Sequence, residues 1–177
     1  LIEELSTLTR QHIAANKLLY FTEEDKMSTG IEEYNEKIIF FEMLGVKCKS
    51  MLDRIVIDTK NAVIKLIDLK TTINLGDFVH SFDEFQYYRQ MAFYWSAVYS
   101  WMKEVGIDIT PYKKETYIIG LQKGDLPECR VFSISENYLF RGLDEIEELL
   151  PKIKWHFEND QWDHRKEYYE NNGIEIL

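Results

Sequence analysis

Two aspartates and a lysine carry the most pointed chemistry in this sequence. Asp68 and Lys70 close the apolar run AVIKLIDLK, and Asp53 lies fifteen positions before Asp68, in KSMLDRIVID. Side chains alternate along a strand, so Asp68 and Lys70 point to one face, and a hairpin pairing of the two segments would bring Asp53 alongside. Two carboxylates and an ammonium gathered in this way suit a divalent metal and a phosphate. Cleaving a phosphodiester at neutral pH requires charge to be neutralised on a pentacovalent oxyanion and a water to be made nucleophilic, and carboxylate-held metal ions supply both. Mg²⁺ is hard and takes oxygen ligands, typically one or two protein carboxylates with waters and phosphate oxygens. Lys70, a compact point charge, would hold the attacking water or the scissile phosphate. The plain alternative is that Asp68 and Lys70 line the solvated face of an edge strand. Against it, VIKLIDLK is apolar on both faces apart from Lys65, as in an interior strand, where ionisable groups are costly without partners or a metal.

The elements that must hold these residues are legible as patterns. Ile2, Leu5, Leu8, Ile13 and Leu18 recur at loosely helical spacing and predict a helix over 3–19, and the polar TEEDKMSTG that follows reads as a loop. EKIIFFEML and GVKCKSMLDRIVID are β-rich and join near Gly45. NAVIKLIDLKTT follows a turn around Asp58–Asn61, so three strands form an antiparallel meander. A helix is predicted over 82–105, with Ser81 and Glu84 as a capping box and Gly106 as its stop. Its stripe of Phe85, Tyr88, Met91, Trp95, Val98, Met102 and Val105 would pack on the sheet. ETYIIGLQ and CRVFSIS flank KGDLPE as a hairpin. From Glu136 the chain reads as helix, with Pro151 kinking or restarting it, and HRKEYYENN forms a last short helix. The order predicts an α/β fold with a mixed sheet flanked by helices.

Composition bounds the rest. With 177 residues, 45% of them hydrophobic, the chain is expected to form one domain over 1–177. It has no uninterrupted apolar run of membrane-spanning length and its start, LIEELSTLTRQH, is charged, so a soluble, cytoplasmic protein is expected, with no membrane partner. It begins at Leu1 without Met, which leaves room for an upstream segment. Cys48 and Cys129 are too few for a disulfide framework and are expected to be buried thiols. The net charge of −10 argues against a surface that is basic all over. Lys47, Lys49, Arg54, Lys60, Lys65, Lys70 and Arg89 nevertheless fall in the middle third while acid crowds 136–148 and 158–175, which suggests a basic groove on an acidic body. Trp155, Trp162, Tyr168 and Tyr169 are expected to clamp the terminal helices.

Taken jointly, CKSMLDRIVID, VIKLIDLKTT and YYRQMAFYWSAV resemble the PD-(D/E)xK nucleases, in particular the branch of RecB-type nuclease domains and RecE-like exonuclease VIII phage nucleases. The resemblance runs from about Glu36 to Tyr99, and the final WDHRKEYYENNGIEIL is similar to the tails of such domains. It implies a restriction-endonuclease-like core and a metal-dependent deoxyribonuclease, an exonuclease on linear double-stranded DNA in phage or prophage recombination, using Mg²⁺ with Mn²⁺ as a substitute. It further implies that Asp53, Asp68 and the carbonyl of Leu69 are metal ligands and that Lys70 is the catalytic lysine. Gln90 and Tyr94 match the Gln-x-x-x-Tyr motif that lies beside the active site and the DNA, and positions i and i+4 do share a helix face. Otherwise Tyr94 belongs to the core and Gln90 to the surface. The implied partner is DNA, and a homo-oligomer stays open because family members form rings around it. The chain departs from the family pattern in having Leu52 where the name has proline. The earlier acidic or histidine ligand is also unplaced. His12 and Glu36 are the candidates, with a surface histidine and a solvated strand carboxylate as their ordinary readings, and Glu42 is similarly placed. A catalytically inactive nuclease-fold module for DNA binding or assembly is the alternative. An iron–sulfur relative needs four cysteines, and this chain has two.

Overall fold

The computed structural model describes residues 2–174. Its sheet opens with a long hairpin, β1 (Ile31–Met43) and β2 (Val46–Asp58), paired antiparallel along their whole length. Leu44 and Gly45 both take positive φ, 51° and 73°. Two left-handed residues in a two-residue loop give the turn whose twist matches that of the flanking strands. β3 (Val63–Thr72) runs antiparallel to β2, completing the expected meander. A 3₁₀ turn (Leu75–Asp77), α4 (Phe78–Glu84) and α5 (Tyr87–Glu104) then cross over to β4 (Lys113–Gln122), which lies parallel to β3. β5 (Glu128–Ser133) returns antiparallel on β4, so the sheet is mixed and its order is β1-β2-β3-β4-β5. This is the α/β architecture that the pattern predicted.

Alternation splits the core across the two faces of the sheet. Ile55, Ile57, Ile64, Leu66 and Ile118 meet Tyr88, Met91, Trp95, Val98 and Met102 of α5. Val56, Ile67, Ile119 and Leu121 meet Ala15 and Leu18 on the opposite face. The second layer comes from α1 (Ile2–Gln11) and α2 (Ile13–Leu19), two helices where one was expected. His12 breaks them, accepting the Ala15 N–H on Nδ1 as the N-cap of α2. The expected loop TEEDKMSTG is also helical: α3 (Glu23–Thr29) starts with Thr22 and Asp25 in a reciprocal capping box and ends at left-handed Gly30. Its polar composition hid cap signals that were present in the sequence.

The predicted helix over 82–105 divides as well. Ser81 lies inside α4, so no capping box forms there, and the chain breaks at Phe85–Gln86, where Gln86 has φ 54°. Phe78 and Phe82 form their own buried stripe on α4, and the left-handed residue re-aims the chain so that Tyr88 and Met91 bury next. Phe85 and Val105, at the ends of the predicted stripe, are exposed. Gly106 does stop α5. Its N–H reaches Lys103 O and the Ile107 N–H reaches Met102 O, the paired bonds of a left-handed helix terminus.

α6 (Glu136–Asn159) continues through Pro151 without restarting, held on α5 through Ile146 and Leu150 against Ala92. Packing thus outweighs the local cost of proline. α7 (Lys166–Glu170) is shorter than the predicted last helix, and Trp155 meets Tyr169 across the α6–α7 join at 5.7 Å. Residues 175–177 of the tail-like segment lie outside the described residues. Cys129 is buried and Cys48 partly so, and desolvation raises both thiol pKa values. Among the described residues no helix is long and apolar enough to cross a membrane.

α5 and α6 come close together at Gly142. A Cβ there would stand 2.7 Å from the Tyr88 carbonyl oxygen, 2.9 Å from Ala92 Cβ and 3.0 Å from Arg89 Cα. Backbone atoms have little room to yield, so overpacking exceeds the gain in helix propensity of about 1 kcal/mol. Gly142→Ala is therefore expected to lower stability by about 1–3 kcal/mol in urea unfolding, although alanine is the better helix former.

Candidate active site

The site arises where two neighbouring strands part. The β2–β3 ladder ends at the Arg54–Ile67 pair, and the next residues outward are Asp53 and Asp68. Beyond that point β2 stays with β1 while β3 continues on β4 as far as Thr72. Parting strands leave backbone groups without ladder partners. Asp53 supplies one, its Oδ2 accepting the Leu69 N–H at 2.8 Å. Arg54, next in the chain, points to the other face and is buried. Its Nε donates to Leu18 O and its Nη1 to Asn35 Oδ1, while Nη2 lies 3.1 Å from Glu33 Oε1. This guanidinium ties β1, β2 and the end of α2 together immediately beside Asp53.

Asp68 and Lys70 share the β3 face that carries Ile64 and Leu66, the face covered by α5. Asp68 is 1% exposed. Its Oδ2 lies 2.7 Å from Lys70 Nζ, yet the approach is ionic in geometry and this buried oxygen has no well-formed hydrogen bond. Burial raises the Asp68 pKa above the ordinary carboxylate value, the lysine opposes that shift, and the nearby Asp53 charge adds to it. Lys70 Nζ also donates to Gln90 Oε1 at 2.9 Å, and Gln90 Nε2 donates to Tyr94 Oη at 2.7 Å. Burial is the main cause that raises the Tyr94 phenol, with Gln90 opposing and the Asp68 and Asp53 carboxylates contributing. Tyr94 is therefore a neutral acceptor that orients Gln90, which in turn holds the amine.

The five residues Asp53, Asp68, Lys70, Gln90 and Tyr94 thus form one connected constellation around Leu69. His12 caps α2, and Glu36 is exposed on β1 with φ 48°, between the rungs that pair Asn35 with Arg54 and Lys37 with Leu52. Among the described residues no three His, Cys, Asp or Glu side chains gather as a metal-holding group. One neighbour was absent from the sequence reading. The Tyr87 ring centroid lies 4.9 Å from Lys70 Nζ. Its signal was available, since Tyr87, Gln90 and Tyr94 recur at i, i+3 and i+7 on one helix face.

The donor set suits a hard divalent cation. Two carboxylates offer oxygen only, the resemblance adds the Leu69 carbonyl to them, and the buried Asp68 Oδ2, which lacks a well-formed hydrogen bond, is the kind of atom that a cation would satisfy. Two protein carboxylates with remaining positions left to water and phosphate is the pattern typical of Mg²⁺.

A mixed sheet with helices on both faces and an Asp, Asp-x-Lys set at a strand fork defines a PD-(D/E)xK-type domain. The model of one family, described as a PDDEXK-like domain of unknown function (DUF3799), matches residues 5–171, and the chain belongs to that family. The crystal structure of a "putative exonuclease" from Eubacterium rectale is similar with a TM-score of 0.63 and 21% sequence identity, covering 99% of this chain and 60% of that one. That likeness is one of fold, and the chain spans about three fifths of that protein's length. Comparison with curated proteins gives no match.

The raised Asp68 pKa has a consequence for stability without metal. The folded state holds this proton more tightly than the unfolded chain, so stability falls as pH rises from the ordinary value of 3.8 through the raised folded one. Asp68→Asn removes that titration. In chelator, denaturant unfolding should show the variant gaining on the wild type as pH rises across this window, with the advantage vanishing below it.

Proposed function

We propose that this domain is a metal-dependent deoxyribonuclease that hydrolyses phosphodiesters in linear double-stranded DNA, working as an exonuclease. The observation that carries the reading is the meeting of Asp53, Asp68 and Lys70 at the β2–β3 fork. The exonuclease detail and the setting in phage recombination rest on the family resemblance, and the name of the Eubacterium rectale neighbour agrees with the first. Asp53, Asp68 and the Leu69 carbonyl would hold Mg²⁺, or Mn²⁺ in its place. When bound, that ion supplies charge neutralisation at the phosphate and lowers the pKa of water.

The chain's own residues do the rest. Asp53 spends one oxygen on the Leu69 N–H, which fixes its carboxylate against β3. Lys70 positions the attacking water for in-line displacement, and its ammonium stabilises charge developing on the phosphate. Gln90 directs the amine, and Tyr94 directs Gln90. The reading treats 1–177 as one domain acting on DNA in the cytoplasm, with a homo-oligomer open. The rival is a nuclease-fold module that binds DNA without cutting it, favoured by the net charge of −10 and by the lack of a third gathered acidic or histidine ligand among the described residues.

Cleavage of linear duplex DNA is expected to need Mg²⁺ or Mn²⁺ and to fall by about a thousandfold or more in Asp68→Ala and in Lys70→Ala, with folding retained by circular dichroism. Titration calorimetry should give Mn²⁺ binding heat in the wild type that Asp68→Ala loses. A wild-type chain that neither cuts DNA nor binds Mn²⁺ would favour the binding module.

A further inference from the structure

We infer that Tyr87 is a positioning residue for Lys70, its ring lying against the ammonium beside the carboxylate and the amide that also approach it. A lysine ammonium has three N–H donors. Asp68 Oδ2 stands 2.7 Å from Lys70 Nζ, Gln90 Oε1 2.9 Å and the Tyr87 ring centroid 4.9 Å. The last distance lies inside the range of about 6 Å within which a cation is attracted to an aromatic face. Lys70 is also largely shielded from water, with 20% of its side chain exposed, and desolvation strengthens that attraction.

The ring is held from behind. Tyr87 packs against Phe78 at 6.0 Å, Phe82 at 6.5 Å and Phe85 at 5.8 Å, and Phe78 stacks on Phe132 of β5 at 4.4 Å and 17°. A run of aromatics thus reaches from the far edge of the sheet to the lysine. The left-handed residue Gln86 places Tyr87 first in α5, three residues before Gln90, so both meet the same amine. A continuous helix through 82–105 would have no break to aim the ring. When another cation engages Asp68 Oδ2, the amine loses its carboxylate partner, and Gln90 and Tyr87 remain to hold it. The ring face performs this task, so phenylalanine should replace tyrosine.

The catalytic part of this inference rests on the nuclease reading, whereas the contact does not. In the full chain labelled with ¹³Cε-lysine, without metal, the Lys70 ε-methylene protons should be displaced upfield by the ring, with the signal assigned through its loss in Lys70→Arg. Tyr87→Phe should keep that displacement, and Tyr87→Leu and Tyr87→Met should abolish it while thermal unfolding confirms that they fold. A wild-type Lys70 signal at the ordinary lysine position, or one unmoved in both aliphatic variants, would overturn the assignment. On linear duplex with Mg²⁺, Tyr87→Leu should lower kcat about tenfold with KM little changed, and Tyr87→Phe should retain wild-type kcat. Equal loss in the phenylalanine and leucine variants would overturn the ring-face role. A wild type without cleavage would instead sink the nuclease reading and leave the lysine spectrum to decide on Tyr87.

Discussion

The bond from the Leu69 N–H to the Asp53 carboxylate is the contact on which the site depends. β2 and β3 share a ladder only from Arg54–Ile67 to Asp58–Val63, and each then follows another neighbour. A fork of this kind exposes backbone donors and acceptors, which are costly to leave unpaired wherever water is excluded. A carboxylate that accepts one of them sets the stagger between the two strands at the point where the ladder no longer does. The stagger matters because the side-chain period is two. Slipping β3 by one residue would carry Asp68 and Lys70 away from α5 and onto the face packed by Ala15 and Leu18.

Stability alone gives no reason for the charges that meet there. Two ionised groups withdrawn from water lose hydration that their attraction only partly returns, and a well-packed apolar pair of similar volume is often at least as stable. Asp68 bears most of that cost, being almost wholly buried with an oxygen that lacks a well-formed hydrogen bond. Gln90, Tyr94 and Tyr87 are directed at Lys70 rather than at Asp68, so the constellation fixes the amine and leaves a buried carboxylate oxygen without a well-formed hydrogen bond. An arrangement of that kind is poorly suited to holding a fold together. It suits the capture of a cation beside a fixed lysine.

Much of this was legible because it is periodic. β1, β2 and β3 announced themselves by alternation and by turn residues at Gly45 and Asp58–Asn61, and the spacing of Asp68 and Lys70 fixed their common face. Gln90 and Tyr94 were readable as one helix face. What escaped was decided by backbone conformation or by tertiary packing. Gln86 in the left-handed region carries no compositional mark, so the break between α4 and α5 was hidden, and with it the placement of Tyr87. α3 was missed because it has no apolar stripe, although its caps at Thr22, Asp25 and Gly30 were in view. His12 caps α2 through its Nδ1, a local bond that the spacing of the aspartates does not show.

Charge was the least reliable guide, because a formal count cannot tell a solvated cation from a structural one. Of the basic residues in the middle third, Arg54 is buried against Glu33 and Asn35, and Arg89 is committed to Glu145 on α6. Lys65 lies beside Glu115 in the β3–β4 register. Lys47 and Lys49 remain exposed on the arm of β2 beyond the fork, and Lys60 is exposed at the opposite end of that strand. No continuous basic groove follows from such a set. On the nuclease reading, attraction for a phosphate is then concentrated at Lys70 and at whatever cation Asp53 and Asp68 hold. Charges farther off are screened beyond roughly 8–10 Å at physiological salt, so the acidic body need not repel DNA from that point. The fork would therefore both anchor the backbone and cut it, and a change that disturbs the stagger of Asp53 against Asp68 would reach binding and chemistry together.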